Sequence, residues 1–266
     1  MDTVSHTLFY PLFGRAQAAH NWPELFQDPW AIKAEEIGKA EGTPAKAMEG
    51  FPVAVYGIRH QITVFEAKRY LREHPGAAIV NIGCGLDTLT LDLKDEDCTI
   101  YNLDLPEVIE ARSRWITKAP NEHDLPYSAT DHTWMNHVNN TNGMFAIAAG
   151  VMYYLQVEEG KALIAEMAKR FPGGRFSFDN ESPTVIGFSE KSIAKQGTPC
   201  AMPFRIKDPY EPKTWSDRIT NYEIEFNLLN YLPPSQRKAL PLGHRIGFGF
   251  FEKIKGMYQV NMDFAD

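Results

Sequence analysis

An apolar run that breaks on two glycines constrains this chain more than any other stretch. Ala78, Ile79, Val80, Asn81 and Ile82 lead into Gly83-Cys84-Gly85-Leu86-Asp87-Thr88, and a second apolar run over 99–104 ends in Asp104. A short, near-continuous apolar stretch is how a parallel strand covered on both faces reads. Gly83 and Gly85 permit a sharp turn and close backbone approach to a ligand, because a residue without a Cβ tolerates both. Asp104 closes the second strand at its C-terminal end, where ligands of open α/β sheets bind. There a carboxylate can accept both hydrogens of a ribose diol. The plain alternative is a tight turn followed by a solvated acid.

Two nucleoside-type cofactors suit such a turn. A dinucleotide fingerprint requires a third glycine five residues after the first, and that position is Thr88. The mismatch favours S-adenosylmethionine, which has a ribose but no phosphate to cradle. An NAD(P)-dependent oxidoreductase is the rival enzyme reading.

The motifs around the glycine turn carry a closer resemblance. Residues 79–88, Leu103-Asp104-Leu105-Pro106-Glu107-Val108, the segment 25–31, Gly57-Ile58-Arg59, the segment 128–134 and the segment 147–155 are similar to the leucine carboxyl methyltransferase family. The resemblance is strongest to its bacterial branch near the tetracenomycin-type polyketide O-methyltransferases. It spans about residues 7–180. It implies a class I methyltransferase fold and an S-adenosylmethionine-dependent O-methyltransferase acting on a carboxylate or hydroxyl of a small, polyketide-like molecule. By resemblance the cofactor meets Arg59, Gly83, Cys84, Gly85, Asp104, Leu105, Asp131, His132 and Ala149. Arg59 is expected against the cofactor's carboxylate, Asp131 and the main chain of His132 against its adenine. Arg15 is implied near the cofactor and the acceptor, and Tyr153 and Tyr154, read from their own chemistry, could shape or hydrogen-bond the acceptor pocket. The chain departs from the family pattern at two positions: Ala149 stands where Glu precedes Gly150, and Leu89 stands where Arg follows Thr88. Loss of the Glu carboxylate leaves open a methyltransferase-like protein that does not catalyse.

Each of these residues also has a structural reading. Arg15 and Arg59 could face solvent on amphipathic helices, Asp131 could cap a helix, and Tyr153 and Tyr154 could pack in the core. No catalytic side chain is assigned. A carboxylate acceptor, with a pKa of about 4, is ionised at neutral pH, whereas a phenol at about 10 requires a base or a metal. His132 and His137 lie near the expected mouth and read as structural. Glu122-His123-Asp124 invites a metal reading, but sequence neighbours do not all face one ion, so no metal site is expected.

Organisation follows the same pattern. Helices are expected over 4–20 (interrupted by Pro11), from Asp28 and Pro29 onward, over 53–74, from Pro106, over 158–171, 182–196 and 235–245. Strands are expected over 127–131, 144–149, 175–179, 222–227 and 258–264. Arg112, Arg114 and Lys118 read as a solvated basic face. Strands alternating with helices give a doubly wound, Rossmann-like sheet, mostly parallel, with an antiparallel closing strand. One domain of 266 residues is expected. It divides into a helical lid (1–50), a cofactor-binding core (51–180) and a C-terminal part with acceptor-pocket segments (181–266). The net charge of −7 argues against a nucleic-acid surface. Three cysteines, Cys84, Cys98 and Cys200, form no Cys-x-x-Cys pair and suit a reducing cytoplasm. No stretch reaches the roughly eighteen apolar residues of a membrane span, and no signal peptide is evident. Oligomeric state is not legible.

Overall fold

The structure is a computed structural model and describes residues 3–40, 42, 49–195 and 200–266. In chain order, helix α1 (Thr3–Asn21), α2 (Pro29–Ala40) and α3 (Phe51–Glu73) precede the first strand, β1 (Ala77–Ile82). There follow α4 (Leu89–Asp92), β2 (Cys98–Asp104), α5 (Pro106–Trp115), β3 (Glu122–Pro126), β4 (Met144–Ala148), α6 (Val157–Arg170), β5 (Arg175–Glu181), α7 (Pro183–Lys195), β6 (Ile219–Glu225), α8 (Leu242–Lys253) and β7 (Met257–Phe264).

These seven strands form one sheet in the order β3-β2-β1-β4-β5-β7-β6. The first five are mutually parallel, and β7 runs antiparallel between β5 and β6. All six residues of β1 are buried, as the apolar run requires of a strand covered on both faces. Ile79 packs with Ala67, Tyr70 and Leu71 of α3 on one face. Val80 and Ile82 join Leu163, Ile164 and Met167 of α6 on the other. Strand order reverses at β1, which has β2 on one side and β4 on the other; this is the switch point where open α/β sheets bind ligands. The register pairs Ile82 with Leu103, so the glycine turn after β1 lies beside Asp104 at the end of β2.

Most expected elements are present. Asp28 caps α2, its Oδ1 accepting the Ala31 N–H at 2.8 Å. Pro11 lies inside α1 without ending it, and Phe9, Leu12 and Phe13 pack beside Trp30, Ala31 and Ala34 of α2 and Leu86 of the glycine loop. The helix expected to Gln196 is described as far as Lys195; Gln196 lies outside the described residues.

Three expectations are corrected. The third strand is not 127–131 but Glu122–Pro126. It is the edge strand of the sheet, where charged residues are tolerated and hide the strand pattern. The helix expected over 235–245 is instead a single 3-10 turn, Arg237–Ala239, followed by α8 from Leu242. Pro241 separates them, since it disfavours helical backbone in the residue before it and lacks the N–H an interior position needs. Arg112 is not on a solvated face: it is 1% exposed, donating from Nη2 to Glu122 Oε1 at 2.9 Å and from Nη1 to the carbonyl oxygens of Gly85 and Asp87. It thereby ties α5 and β3 to the glycine loop.

Candidate functional site

A cavity of about 600 Å³ opens over the C-terminal ends of β1, β2 and β4. Its floor is the loop Gly83–Asp87. The Gly83 and Cys84 N–H groups both donate to Leu103 O, at 2.7 and 3.2 Å, folding the loop back onto β2. Gly83 has φ +65°, and a Cβ there would stand 2.3 Å from Val151 Cγ2, so only glycine fits. Gly85 N–H donates to Asp104 Oδ2 and Leu105 N–H to Asp104 Oδ1, both at 2.8 Å. Burial pushes the Asp104 carboxyl upward, opposed by those two N–H groups and by Arg112. Each Asp104 oxygen keeps a lone pair for a ligand hydroxyl on the cavity side. The Cys84 thiol, pushed up by burial, stays protonated.

One wall comes from α1 and α3. Arg15 is 8% exposed, yet it lines the cavity. Its Nε donates to Asp28 Oδ2 at 2.6 Å and its Nη1 to Asp87 Oδ1. Its Nη2 is buried and has no hydrogen-bond partner. Burial alone would lower the Arg15 pKa, and the Asp87 and Asp28 carboxylates outweigh it. Burial alone would raise Asp87, but Arg15 first, then His60 and Arg112, hold it at about 2. His60 lies among three carboxylates, 3.4 Å from Asp92 and 3.9 Å from both Asp28 and Asp87. Trp30 donates its indole N–H to Leu86 O at 2.7 Å and so fastens α2 to the same loop.

The opposite wall is formed by Arg59 and the turn after β4. Arg59 presents Nε and Nη2 to Asp179 Oδ2, each at 2.8 Å. Its guanidinium lies over the rings of Tyr56 and Tyr153, 5.5 and 5.9 Å from their centroids. Its Nη1 is turned towards Gly150, where a Cβ would be 3.1 Å away. Beyond Arg59 the lining is Tyr56, Tyr154, Leu155, Ile193 and Cys200. Burial raises the pKa of Tyr56, of Tyr154 to about 12, and of Cys200.

Of the residues expected at the site, Arg15, Arg59, Gly83, Cys84, Gly85, Asp104, Leu105, Ala149 and Tyr154 all line the cavity. Tyr153 lies behind the wall, its OH donating to Asp179 Oδ2 at 3.0 Å. Asp131 and His132 do not line it; Tyr127, Ser128 and Ala129 do. Asp131 is exposed and caps the 3-10 helix His132–His137, accepting from Thr133 N and Oγ1 at 3.1 and 2.6 Å. The displaced third strand explains this, because the chain leaves the sheet at Pro126 and reaches the cavity earlier than expected. His137 is bonded to the Tyr127 hydroxyl at 2.9 Å. Glu122 is bonded by Arg112 and Asn102, Asp124 by Lys118 and the same Asn102 amide, and His123 stacks on the Tyr101 ring. Among the described residues no group of three or more His, Cys, Asp or Glu is placed to share a metal ion. No helix among them is long and apolar enough to cross a membrane.

Sequence reasoning assigned no role to Asp87, His60, Asn81, Asp28 as an ion-pair partner, or Asp179. Asp87 could have been found from its place two residues after Gly85. Asp179 carries no local signal, since it lies 120 residues from the arginine it binds.

The sequence profile of the family described as leucine carboxyl methyltransferase matches residues 11–168, more than half of the chain. The chain belongs to the leucine carboxyl methyltransferase family. It is accordingly an S-adenosylmethionine-dependent O-methyltransferase, as the motifs implied, and Thr88 is no defect in a dinucleotide site. Among curated relatives, this methyltransferase is 26% identical over 186 residues to the tetracenomycin polyketide synthesis O-methyltransferase TcmP of Streptomyces glaucescens, covering 69% of this chain and 67% of that one. Among solved structures, a protein from Thermobifida fusca YX assigned provisionally as a methyltransferase superposes with a TM-score of 0.60 at 11% identity, covering 94% of each chain. The plantazolicin methyltransferase BpumL, solved with a desmethyl plantazolicin analogue and SAH, superposes with a TM-score of 0.50 at 12% identity over 98% of this chain and 99% of its own. At those identities the superpositions establish the fold: a doubly wound class I methyltransferase sheet.

The cavity fits the family's cofactor. A glycine floor that admits no Cβ at Gly83, an acid with free lone pairs at Asp104, and the Arg59 guanidinium on the cavity wall are groups that suit a ribose and an amino-acid carboxylate.

Proposed function

We propose that this methyltransferase esterifies a carboxylate of a small, largely apolar molecule. The carrying observation is the protonation chemistry of the acceptor side. Tyr56, Tyr154 and Cys200 all have raised pKa values and stay neutral at pH 7, and Asp179, behind the wall, is already bonded by Arg59, Tyr153 and Gly150. Such a wall holds no group ready to take a proton, which suits an acceptor that arrives ionised, and a carboxylate does. The apolar lining of Leu155 and Ile193, with the Tyr56 and Tyr154 rings, suits an aromatic or polyketide-like body, in keeping with the TcmP likeness.

In this reading Asp104 accepts the ribose diol, the main chain of Gly83–Gly85 and Leu105 follows the nucleoside, and Arg59 meets the cofactor's carboxylate through its remaining Nη1 edge. Arg15 Nη2 attracts and orients the acceptor anion. The bound cofactor supplies a sulfonium methyl for in-line displacement. The chain's own contribution is to orient the two reactants and exclude water. Ala149 contributes a methyl group to the wall and no charge. Three unpaired cysteines agree with a reducing cytoplasm.

The test is a product screen with methyl-labelled cofactor against aromatic carboxylic acids and phenols, with and without chelator, followed by mild alkali. Methyl esters release labelled methanol. Alkali-stable or chelator-sensitive product overturns the carboxylate assignment.

A further inference from the structure

Asp179 is 8% exposed at the C-terminal end of β5, behind the cavity wall and not on it. It collects donors from three different elements. Arg59 Nε and Nη2 of α3 reach Oδ2 at 2.8 Å each, and the Tyr153 hydroxyl reaches the same oxygen at 3.0 Å. The Gly150 N–H, in the turn after β4, reaches Oδ1 at 2.6 Å. Those contacts occupy the Nε–Nη2 edge of the guanidinium and leave its Nη1 end turned towards Gly150 and the cavity. The Tyr56 and Tyr153 rings lie against the same guanidinium, and the paired contacts to Asp179 limit its rotation.

We infer that Asp179 is a positioning residue for the cofactor's amino-acid end: it holds the Arg59 guanidinium and the Gly150 turn in the one arrangement in which Nη1 can meet the carboxylate of the bound cofactor. The inference rests on the proposed assignment of Arg59 to that carboxylate. Released from Asp179, the guanidinium can turn about its long side chain, and the Gly150 turn loses the acceptor that holds its left-handed φ of +73°. An ordinary structural ion pair would affect all ligands of the cavity alike. A positioning residue affects only ligands that carry the group it positions.

The experiment compares binding of S-adenosylhomocysteine with that of 5′-methylthioadenosine, which keeps the adenosine and thioether but lacks the amino-acid carboxylate. Asp179→Asn keeps the size of the side chain and an acceptor for Gly150 but presents an amide to Arg59. It should lose about tenfold or more in S-adenosylhomocysteine affinity and less than twofold in methylthioadenosine affinity. In an Arg59→Met background the same substitution should cost nothing further, because the residue acts through Arg59. Tyr153→Phe removes one Oδ2 donor without touching the cavity wall, and should produce a smaller loss with the same ligand selectivity even where Asp179→Asn fails to fold. Equal losses for the two ligands, or a full loss that persists in the Arg59→Met background, overturn the inference. Wild-type protein that binds methylthioadenosine and S-adenosylhomocysteine equally well refutes the Arg59 assignment itself, and the inference with it.

Discussion

Replacing Arg15 by Met isolates the electrostatics that join the N-terminal helices to the glycine loop. The side chain keeps an unbranched apolar stem and loses the charge between Asp28 and Asp87, two carboxylates with 6% and 19% side-chain exposure. Removing one partner from a buried ion pair costs about 3–5 kcal/mol, because the remaining charges stay desolvated. Part of that loss must depend on pH. Asp87 is held at about 2 in the folded protein against an ordinary value of 3.8, and a shift of that size corresponds to about 2.5 kcal/mol. Because the folded value is the lower one, this stability is complete above the unfolded pKa of 3.8 and is lost as pH falls through the folded value. At pH 3 about half of the Asp87 share is already gone. Equilibrium urea unfolding of wild type and Arg15→Met at pH 7, 5 and 3 should therefore give a gap that is equal at the first two and smaller by about 1 kcal/mol at the third. A gap that is constant to pH 3, or below about 1 kcal/mol at pH 7, refutes the ion-pair account and returns Arg15 to an ordinary packing role.

Asp104→Ala should weaken S-adenosylhomocysteine binding by about 1.5–3 kcal/mol, the range for hydrogen bonds to a charged group, with a native circular dichroism spectrum; unchanged affinity in calorimetry removes Asp104 from the ribose. From sequence alone Arg59→Lys should lower cofactor binding and leave apoprotein stability nearly untouched. The buried pair with Asp179 changes that expectation: a single ammonium cannot replace the two contacts to Oδ2, so unfolding should also show a loss of about 1–2 kcal/mol. Gly83→Ala forces a methyl against Val151 at a φ of +65° and should cost about 2 kcal/mol or more in denaturant midpoint; a neutral result contradicts the tight floor.

The sequence by itself determined what depends on neighbouring residues. The apolar run before Gly83 has to be an interior strand, Gly83 has to be the turn, and Asp104 has to end the next strand, because strand burial, left-handed backbone and short βα connections are local properties. The same locality explains the departures, since edge strand β3 has a charged sequence that only the pairing of Asn102 with Asp124 and its neighbours makes a strand. Tertiary structure alone decided which charges meet. Arg15 finds Asp87 across 72 positions, and Arg59 finds Asp179 across 120. Arg112, which reads as a surface base, closes on Glu122 and the glycine loop. A charged side chain carries no periodicity that names its partner, and the desolvation that gives a buried pair its strength exists only once the sheet order has brought the chain segments together.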